Sequence, residues 1–110
     1  MADSRDVVWL DFPGAAITKR RPAVIVSSKE YHSVRPDFIL GLLTSQVTKA
    51  SGPTDHVLAD WSAAGLHKPS AFRAFLVTVP KSAVLSTLGR ISDADWRAIQ
   101  ECLKRAIDVS

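Results

Sequence analysis

The stretch Lys19-Arg20-Arg21-Pro22-Ala23-Val24-Ile25-Val26-Ser27-Ser28 places three cations and a proline directly before an apolar run. Proline fixes its own φ and favours an extended conformation in the residue before it, so we expect Arg21 at the mouth of a strand. The run from Ala23 to Val26 is short, partly β-branched and bounded by serines, which predicts a buried strand. A guanidinium held at the end of such a strand is well suited to binding a phosphate.

Length and composition indicate one globular domain over residues 1–110. The chain is 46% hydrophobic and 23% charged, which is ordinary for a folded domain, and its net charge of +3 is compatible with a polyanionic partner without requiring one. The longest apolar run, Phe38–Leu43, is too short to cross a bilayer, and the polar N-terminus does not resemble a signal peptide. Cys102 is the single cysteine, which excludes an internal disulfide and a thiolate metal cluster. We therefore expect a cytoplasmic protein without a membrane partner.

Apolar patterning around this stretch predicts about five strands, connected mostly by polar segments. Gly41, inside the third strand, predicts a bulge or a close backbone approach. Met1–Arg5 is expected to be a loose lead-in. The predicted strands are Asp6–Phe12, Arg21–Ser27, Asp37–Leu43, Thr54–Trp61 and Ala71–Val79. The predicted connections are a loop over Ala15–Arg20, one helical turn within Ser28–Pro36, a loop over Val47–Pro53 in which Val47-Thr48 is an alternative extension of the third strand, the connection Ser62–Ser70, and a short helix or 3₁₀ segment over Lys81–Leu88.

A C-terminal amphipathic helix is the clearest element. Ser92 is a favourable N-cap with Asp95 three residues later as a capping-box partner, and Ile91 and Trp96 have the spacing of a hydrophobic staple. The predicted apolar face contains Trp96, Ile99, Leu103, Ala106 and Ile107. Because helices do not alternate with the strands, the order favours a mainly β fold with a C-terminal helix, a small bent sheet or SH3-like barrel.

The second and third strands place a candidate site at one edge of the sheet. If these consecutive strands pair in antiparallel fashion, Arg21 and Thr44 reach the same edge. The predicted cluster offers cations and hydroxyls without a neutralising carboxylate, which suits a phosphodiester. The alternative is that the arginines are solubility charges and Thr44-Ser45 is a turn. The residues of this predicted cluster are Lys19, Arg20, Arg21, Thr44, Ser45 and Gln46.

Three motifs in order, Asp6–Phe12, Arg21–Ser27 and Leu43–Gln46, resemble the MazF/PemK family of toxin endoribonucleases. The resemblance covers nearly the whole chain. Further similarities lie at Gly65-Leu66, Pro69-Ser70, Thr78–Lys81 and the closing Gly89 before the helix.

This resemblance implies an SH3-like barrel of the PemK/MazF/CcdB type with about five to seven strands. It also implies a homodimer that cuts single-stranded RNA at short sequences without metal or cofactor, and a cognate antitoxin that blocks it. The family's catalytic arginine and threonine fall on Arg21 and Thr44. Lys19, Arg20, Ser45 and Gln46 are then expected to contact the substrate.

The residue types fit this chemistry. Metal-free cleavage uses the 2′-OH of the RNA as nucleophile and leaves a 2′,3′-cyclic phosphate and a 5′-OH. A guanidinium is a poor general base, so we assign Arg21 to stabilisation of the charged transition state. Thr44 is expected to donate a hydrogen bond to a non-bridging phosphate oxygen.

Two departures from the family pattern favour an alternative. The loop Pro13–Arg20 is shorter than usual and contains no acidic residue, and Phe75 and Val77 stand where polar residues are common. The alternative function is a catalytically weak or inactive MazF-like module that binds RNA or a protein. A third hypothesis, a DNA-binding or plasmid-maintenance protein that acts on gyrase, is disfavoured by the Arg-Pro and Thr-Ser motifs.

The remaining candidates are isolated residues. His32, His56 and His67 are too widely spaced for a metal-ligand pattern, and one of them is a candidate acid or base, although exposed or capping roles are expected. Trp9 and Trp61 are candidates for stacking on bases, with packing as the favoured role for both, and Trp96 and Cys102 are expected to be packed.

Overall fold

The protein, seen in a computed structural model that describes residues 2–12 and 19–108, is mainly β with a C-terminal helix, as predicted. The helices are α1, Lys29–Val34, and α2, Asp93–Ala106, and two 3₁₀ turns cover Val47–Lys49 and Lys81–Ala83. The strands are β1 Asp6–Phe12, β2 Lys19–Ile25, β3 Asp37–Thr44, β4 Asp55–Val57, β5 Ala71–Pro80 and β6 Val84–Arg90. In the described part of the chain they form one antiparallel sheet in the order β4-β5-β3-β2-β1-β6.

Alternation along the central strands places apolar side chains in two separate clusters. Val7 and Val24, which are cross-strand partners, belong to the cluster that also contains Ile99 and Cys102 of α2. The adjacent pair, Val8 and Ala23, belongs to the second cluster. Since neighbouring strand residues point to opposite faces, β1 and β2 are buried on both sides, and this fixes their register.

Helix α2 begins as predicted, but the expected capping box forms only in part. The Ser92 hydroxyl accepts from the Asp95 amide at 3.2 Å. The buried Asp95 carboxylate turns to β4 and the segment after it, where it accepts from His56 Nε2 at 2.8 Å and from the Ala59 and Asp60 amides at 2.9 and 2.8 Å. Because these amides bond to a side chain, the predicted strand Thr54–Trp61 contracts to Asp55–Val57.

Other predicted boundaries also need correction. The second strand begins at Lys19, so Lys19 and Arg20 belong to β2 and not to the preceding loop, and the third extends to Thr44. The segment Val47–Lys49 is a 3₁₀ turn and does not prolong β3. Residues 13–18 of the predicted first loop lie outside the described residues.

The prediction of a short helix or 3₁₀ segment over Lys81–Leu88 holds for its first three residues but misses strand β6. Only Lys81–Ala83 forms a helical turn, and Val84–Arg90 pairs with β1 as an edge strand. None of its residues is fully buried, and its sequence VLSTLGR lacks the apolar alternation that predicts a strand.

Residues 2–5, before β1, are held by hydrogen bonds, contrary to the prediction of a loose lead-in over Met1–Arg5. The Arg5 amide donates to the Ile25 carbonyl at 2.8 Å, and the Ile91 amide donates to the Arg5 carbonyl at 3.0 Å. These bonds connect the start of the chain to β2 and to the approach to α2. At the other end, Ala106 and Ile107 are exposed, so the apolar face of α2 is shorter than predicted.

Gly41 confirms the predicted bulge in β3. The β3–β5 register shifts between Gly41 and Leu42. A Cβ atom at Gly41 would lie 2.3 Å from the Phe72 ring, so the strand passes close against that buried side chain.

Among the helices that the structure describes, none is both long and apolar enough to span a bilayer.

Candidate active site

The register of β2 and β3 brings Arg21 and Thr44 together, as predicted. Ala23 pairs with Leu42 in this antiparallel ladder, and extending the register by two residues sets Arg21 opposite Thr44. Both residues line a cleft of about 370 Å³ at the end of β3, where this strand runs beside the start of β2. Arg20, Ser45 and Gln46 of the predicted cluster line it as well.

The cleft combines an apolar floor with a polar, cationic rim. Trp9, Pro22, Leu43, Leu66 and Leu88 supply the apolar surface, and Arg20, Arg21 and Lys68 supply three cationic side chains. No carboxylate is among its lining residues in the described part of the chain. Such a site favours a polyanion that also carries flat apolar groups.

Thr44 is positioned as a hydrogen-bond donor. It is buried at the end of β3, paired with Ala71 of β5, and its Oγ1 accepts from the Gln46 amide at 3.1 Å. Because this bond uses a lone pair of the hydroxyl, the hydroxyl proton remains available to donate to a ligand. Ser45 and Gln46, which follow, are exposed.

The other predicted cations differ from expectation. Arg20 Nε donates to Asp11 Oδ1 at 3.2 Å across the β1–β2 ladder, so a carboxylate does lie beside the cluster. The prediction that no carboxylate neutralises these cations is therefore wrong for Arg20, because the register sets Asp11 opposite it. Lys19 is exposed, pairs with Phe12 in the ladder and is not among the lining residues.

The segment 65–70 supplies site residues that were not part of the predicted cluster, although His67 was a candidate acid or base. Gly65, Leu66, His67, Lys68 and Ser70 all line the cleft. Gly65 has a φ of +87°, and a Cβ atom there would lie 2.1 Å from the Leu88 carbonyl oxygen. The glycine thus lets the segment pass directly against β6 and sets His67 and Lys68 at the rim. In the sequence, the family similarity at Gly65-Leu66 and Pro69-Ser70 pointed to this segment, but it did not predict that the segment lies near Arg21.

Replacing Gly65 by alanine is expected to lower the free energy of unfolding by about 2 kcal/mol or more, because the new Cβ meets backbone in a left-handed conformation. Chemical denaturation measures the change. Gly52→Ala is the matched control, since a Cβ at Gly52 meets only the Asp55 Oδ2 atom at 3.4 Å. Equal stability of the two variants would contradict this account of the segment.

Two of the three histidines have structural partners away from the cleft. His32 Nε2 lies 2.6 Å from the buried Ser27 hydroxyl, and the imidazole packs edge-on against Phe38. Burial and the nearby Lys81 charge lower the pKa of His32, although Asp3 opposes them. His56 bonds to Asp95, as described above. His67 is exposed and lines the cleft.

The tryptophans also separate into two roles. Trp61 and Trp96 pack against the cluster under α2, which confirms packing for both. Trp9, in β1, is half-buried and lines the cleft. Cys102 is buried, and burial raises the pKa of its thiol, so it is packed as predicted.

Fold and cleft together define a small, mainly β protein with a cationic site at one edge of its sheet. Residues 3–107 match the profile of the family described as PemK-like, MazF-like toxin of type II toxin-antitoxin system, and the chain belongs to this family. The resemblance found in the sequence motifs is thereby confirmed. No curated protein matches the sequence.

Solved structures share the fold at low sequence identity. An endoribonuclease in complex with its cognate antitoxin from a Mycobacterial species superimposes with a TM-score of 0.82 at 19% identity, covering 100% of this chain and 98% of that one. The Mycobacterium tuberculosis toxin MazF-mt6 superimposes with a TM-score of 0.77 at 18% identity, covering 96% of this chain and 99% of that one. MazE-MazF from Deinococcus radiodurans superimposes with a TM-score of 0.72 at 20% identity, covering 99% of this chain and 97% of that one. The predicted fold class is confirmed by these neighbours.

Proposed function

We propose that this chain is the toxin of a type II toxin–antitoxin system and a metal-independent endoribonuclease that cuts single-stranded RNA at specific short sequences. The observation that carries the proposal is the meeting of Arg21 and Thr44 in a cleft whose described lining has three cations and no carboxylate. Two fold neighbours are named as endoribonucleases, which supports the same activity here.

In the proposed reaction the 2′-OH attacks the adjacent phosphorus, and the products carry a 2′,3′-cyclic phosphate and a 5′-OH. Arg21 stabilises the additional negative charge on the phosphoryl oxygens, and Thr44 donates to one of them. Both groups are held by β2 and β3 before substrate arrives, so little reorganisation is needed in the transition state.

The substrate contacts follow from what surrounds this pair. Arg20 and Lys68 are placed to contact neighbouring phosphates, and Trp9 offers a flat apolar surface to a base. Ser45 and Gln46 are exposed at the rim, where their side chains can read base edges. Lys19 lies away from the described lining and is assigned to a more distant phosphate.

The test is incubation of the purified chain in EDTA with a long single-stranded RNA and with the same RNA as a duplex. We expect discrete fragments from the single strand and none from the duplex. An intact single strand at micromolar protein would reject the activity and favour the alternative, a MazF-like binding module. The exposed Phe75 is the observation behind that alternative, since polar residues are common there in the family.

Thr44→Val is expected to slow cleavage about 10²-fold, because it removes one preorganised donor at nearly constant volume. Thr44→Ser keeps the hydroxyl and should retain activity within about tenfold of the original rate. Single-turnover rates on one oligonucleotide measure both. Similar rates for Thr44→Val and the unaltered protein would remove Thr44 from the catalytic group.

We also propose a homodimer and a cognate antitoxin partner, in the cytoplasm. Phe75 and Leu85 are large apolar side chains that are 53% and 51% exposed in the single chain, which favours coverage by a protein surface. Light scattering at micromolar concentration is expected to give about twice the 12.0 kDa of one chain. The mass of a single chain would contradict the dimer.

A further inference from the structure

The proposed cleavage needs a proton donor that Arg21 and Thr44 do not provide. As the bond from phosphorus to the 5′-oxygen breaks, that oxygen becomes a strongly basic alkoxide, and its departure is faster if a nearby acid protonates it. A guanidinium holds its protons too tightly, and a threonine hydroxyl is too weak an acid.

His67 is the lining residue whose chemistry fits this need. Among the lining residues that the structure describes, it is the single histidine, and no aspartate or glutamate accompanies it. Histidine ordinarily exchanges its proton near neutral pH, which is the property of an efficient acid catalyst. Lys68 also lines the cleft, but an ammonium group is a much weaker acid.

The backbone around His67 is fixed, while its side chain is exposed to the cleft. Gly65 packs against the Leu88 carbonyl, and the Ser70 hydroxyl donates to the Lys68 carbonyl at 2.9 Å. The other two histidines are held by Ser27 and Asp95, whereas His67 has no hydrogen-bond or ion-pair partner within residues 2–12 and 19–108. His67 is thus positioned by its backbone and open to a ligand.

We propose that His67 is the general acid that protonates the leaving 5′-oxygen, an inference that rests on the proposed endoribonuclease activity. The bond between O2′ and phosphorus forms as the 2′-OH proton passes to solvent water. The bond between phosphorus and O5′ breaks, and O5′ takes the proton of the His67 imidazolium. The neutral imidazole then regains a proton from water before the next turnover.

Charged groups from the neighbouring elements share the cleft with His67. β2 contributes Arg20 and Arg21, the His67 segment contributes Lys68, and Asp11 of β1 lies beyond Arg20. β6 contributes the apolar Leu88. The cationic side chains bind the phosphate but keep their own protons, so the proton for the leaving oxygen comes from His67.

The experiment compares single-turnover cleavage of a normal oligonucleotide with one that carries a bridging 5′-sulfur at the cut site. A thiolate leaves without protonation, so a defect in the general acid should disappear on the sulfur substrate. We expect His67→Ala and His67→Gln to be about 10²-fold slower on the oxygen substrate. On the sulfur substrate they should be within about threefold of the unaltered protein.

Thr44→Val is the contrasting variant, because stabilisation of the phosphoryl oxygens is still needed with a sulfur leaving group. Its defect should persist on both substrates. Unchanged oxygen-substrate cleavage by both His67 variants, or an equal defect on both substrates, would overturn the role of His67. A protein that cuts neither substrate before any substitution would instead overturn the proposed function itself, and His67 with it.

The pH profile gives a second readout that a merely structural role would not change. Once the pH is high enough for the general acid to lose its proton, that loss should offset easier ionisation of the 2′-OH, so the rate of the unaltered protein should level off. His67→Ala should continue to speed up with pH. Parallel profiles for the two proteins would count against the proposal.

Discussion

Replacement of Arg21 by alanine is expected to slow cleavage of single-stranded RNA by about 10³-fold, the largest catalytic effect in this protein. Arg21, near the start of β2, lines the same cleft as Thr44 at the end of β3, and buried residues on both faces of the sheet fix the register of these strands. Charge that builds on the phosphoryl oxygens would lose its principal counterion, and water would replace it poorly.

Arg20→Ala is the matched control for this prediction. Arg20 precedes Arg21, lines the same cleft and already bonds to Asp11, so its loss should reduce the rate by less than about tenfold. Arg21→Lys tests geometry, because lysine keeps the charge without the planar set of donors, and it should recover little of the lost rate. Equal losses for Arg20→Ala and Arg21→Ala would show that net charge, and not the position of Arg21, supports cleavage.

Replacement of Asp95 by alanine is expected to lower the free energy of unfolding by about 3 kcal/mol, the largest effect on stability. The carboxylate is almost fully buried and joins α2 to β4 through His56, and to the segment after β4 through the Ala59 and Asp60 amides. Its loss leaves these donors without their acceptor, and each bond to a charged group contributes more than a neutral one.

Denaturant unfolding measures this loss, with Asp60→Ala as the control. Asp60 is exposed and contributes its backbone amide to the network, and that amide remains in the variant. We expect the control to change stability by less than about 0.5 kcal/mol. If Asp95→Ala were as stable as Asp60→Ala, the network would contribute nothing to the fold.

The stabilisation by Asp95 should depend on pH in a defined direction. Burial alone would raise the pKa of this carboxyl, but hydrogen bonds from the Ala59 amide, His56 and the Asp60 amide outweigh it, and the pKa lies below its ordinary value of 3.8. A group whose pKa is lowered by folding stabilises the protein fully above the unfolded value. That stability is lost as pH falls below 3.8 and through the folded pKa. The difference between the unaltered protein and Asp95→Ala should therefore shrink in acid.

The strands near the cationic stretch were predictable because their sequences carry a physical signal. Buried apolar runs mark β1, β2 and β3, and Pro22 sets the conformation of Arg21. Antiparallel pairing of consecutive strands then predicts that Arg21 lies near Thr44. The Ser92 cap likewise marked the start of α2.

What the sequence did not predict depends on contacts between distant segments. Strand β6 has no fully buried residue, so only its pairing with β1 identifies it. His67 and Lys68 reach the cleft because Gly65 passes against Leu88, a contact that no local pattern encodes. In the same way, Asp95 resembles a capping residue in sequence but bonds to amides 35 and 36 positions earlier.

The measurement that tests the central claim most directly is end-group mapping of the RNA fragments in EDTA, with a 2′-deoxy nucleotide placed at one established cut site. If the Arg21–Thr44 cleft assists attack by the substrate's own 2′-OH, the fragments carry 2′,3′-cyclic phosphate and 5′-OH ends, and the modified site stays intact while others are cut. Cleavage at the 2′-deoxy site, or fragments with 5′-phosphate ends, would contradict this account.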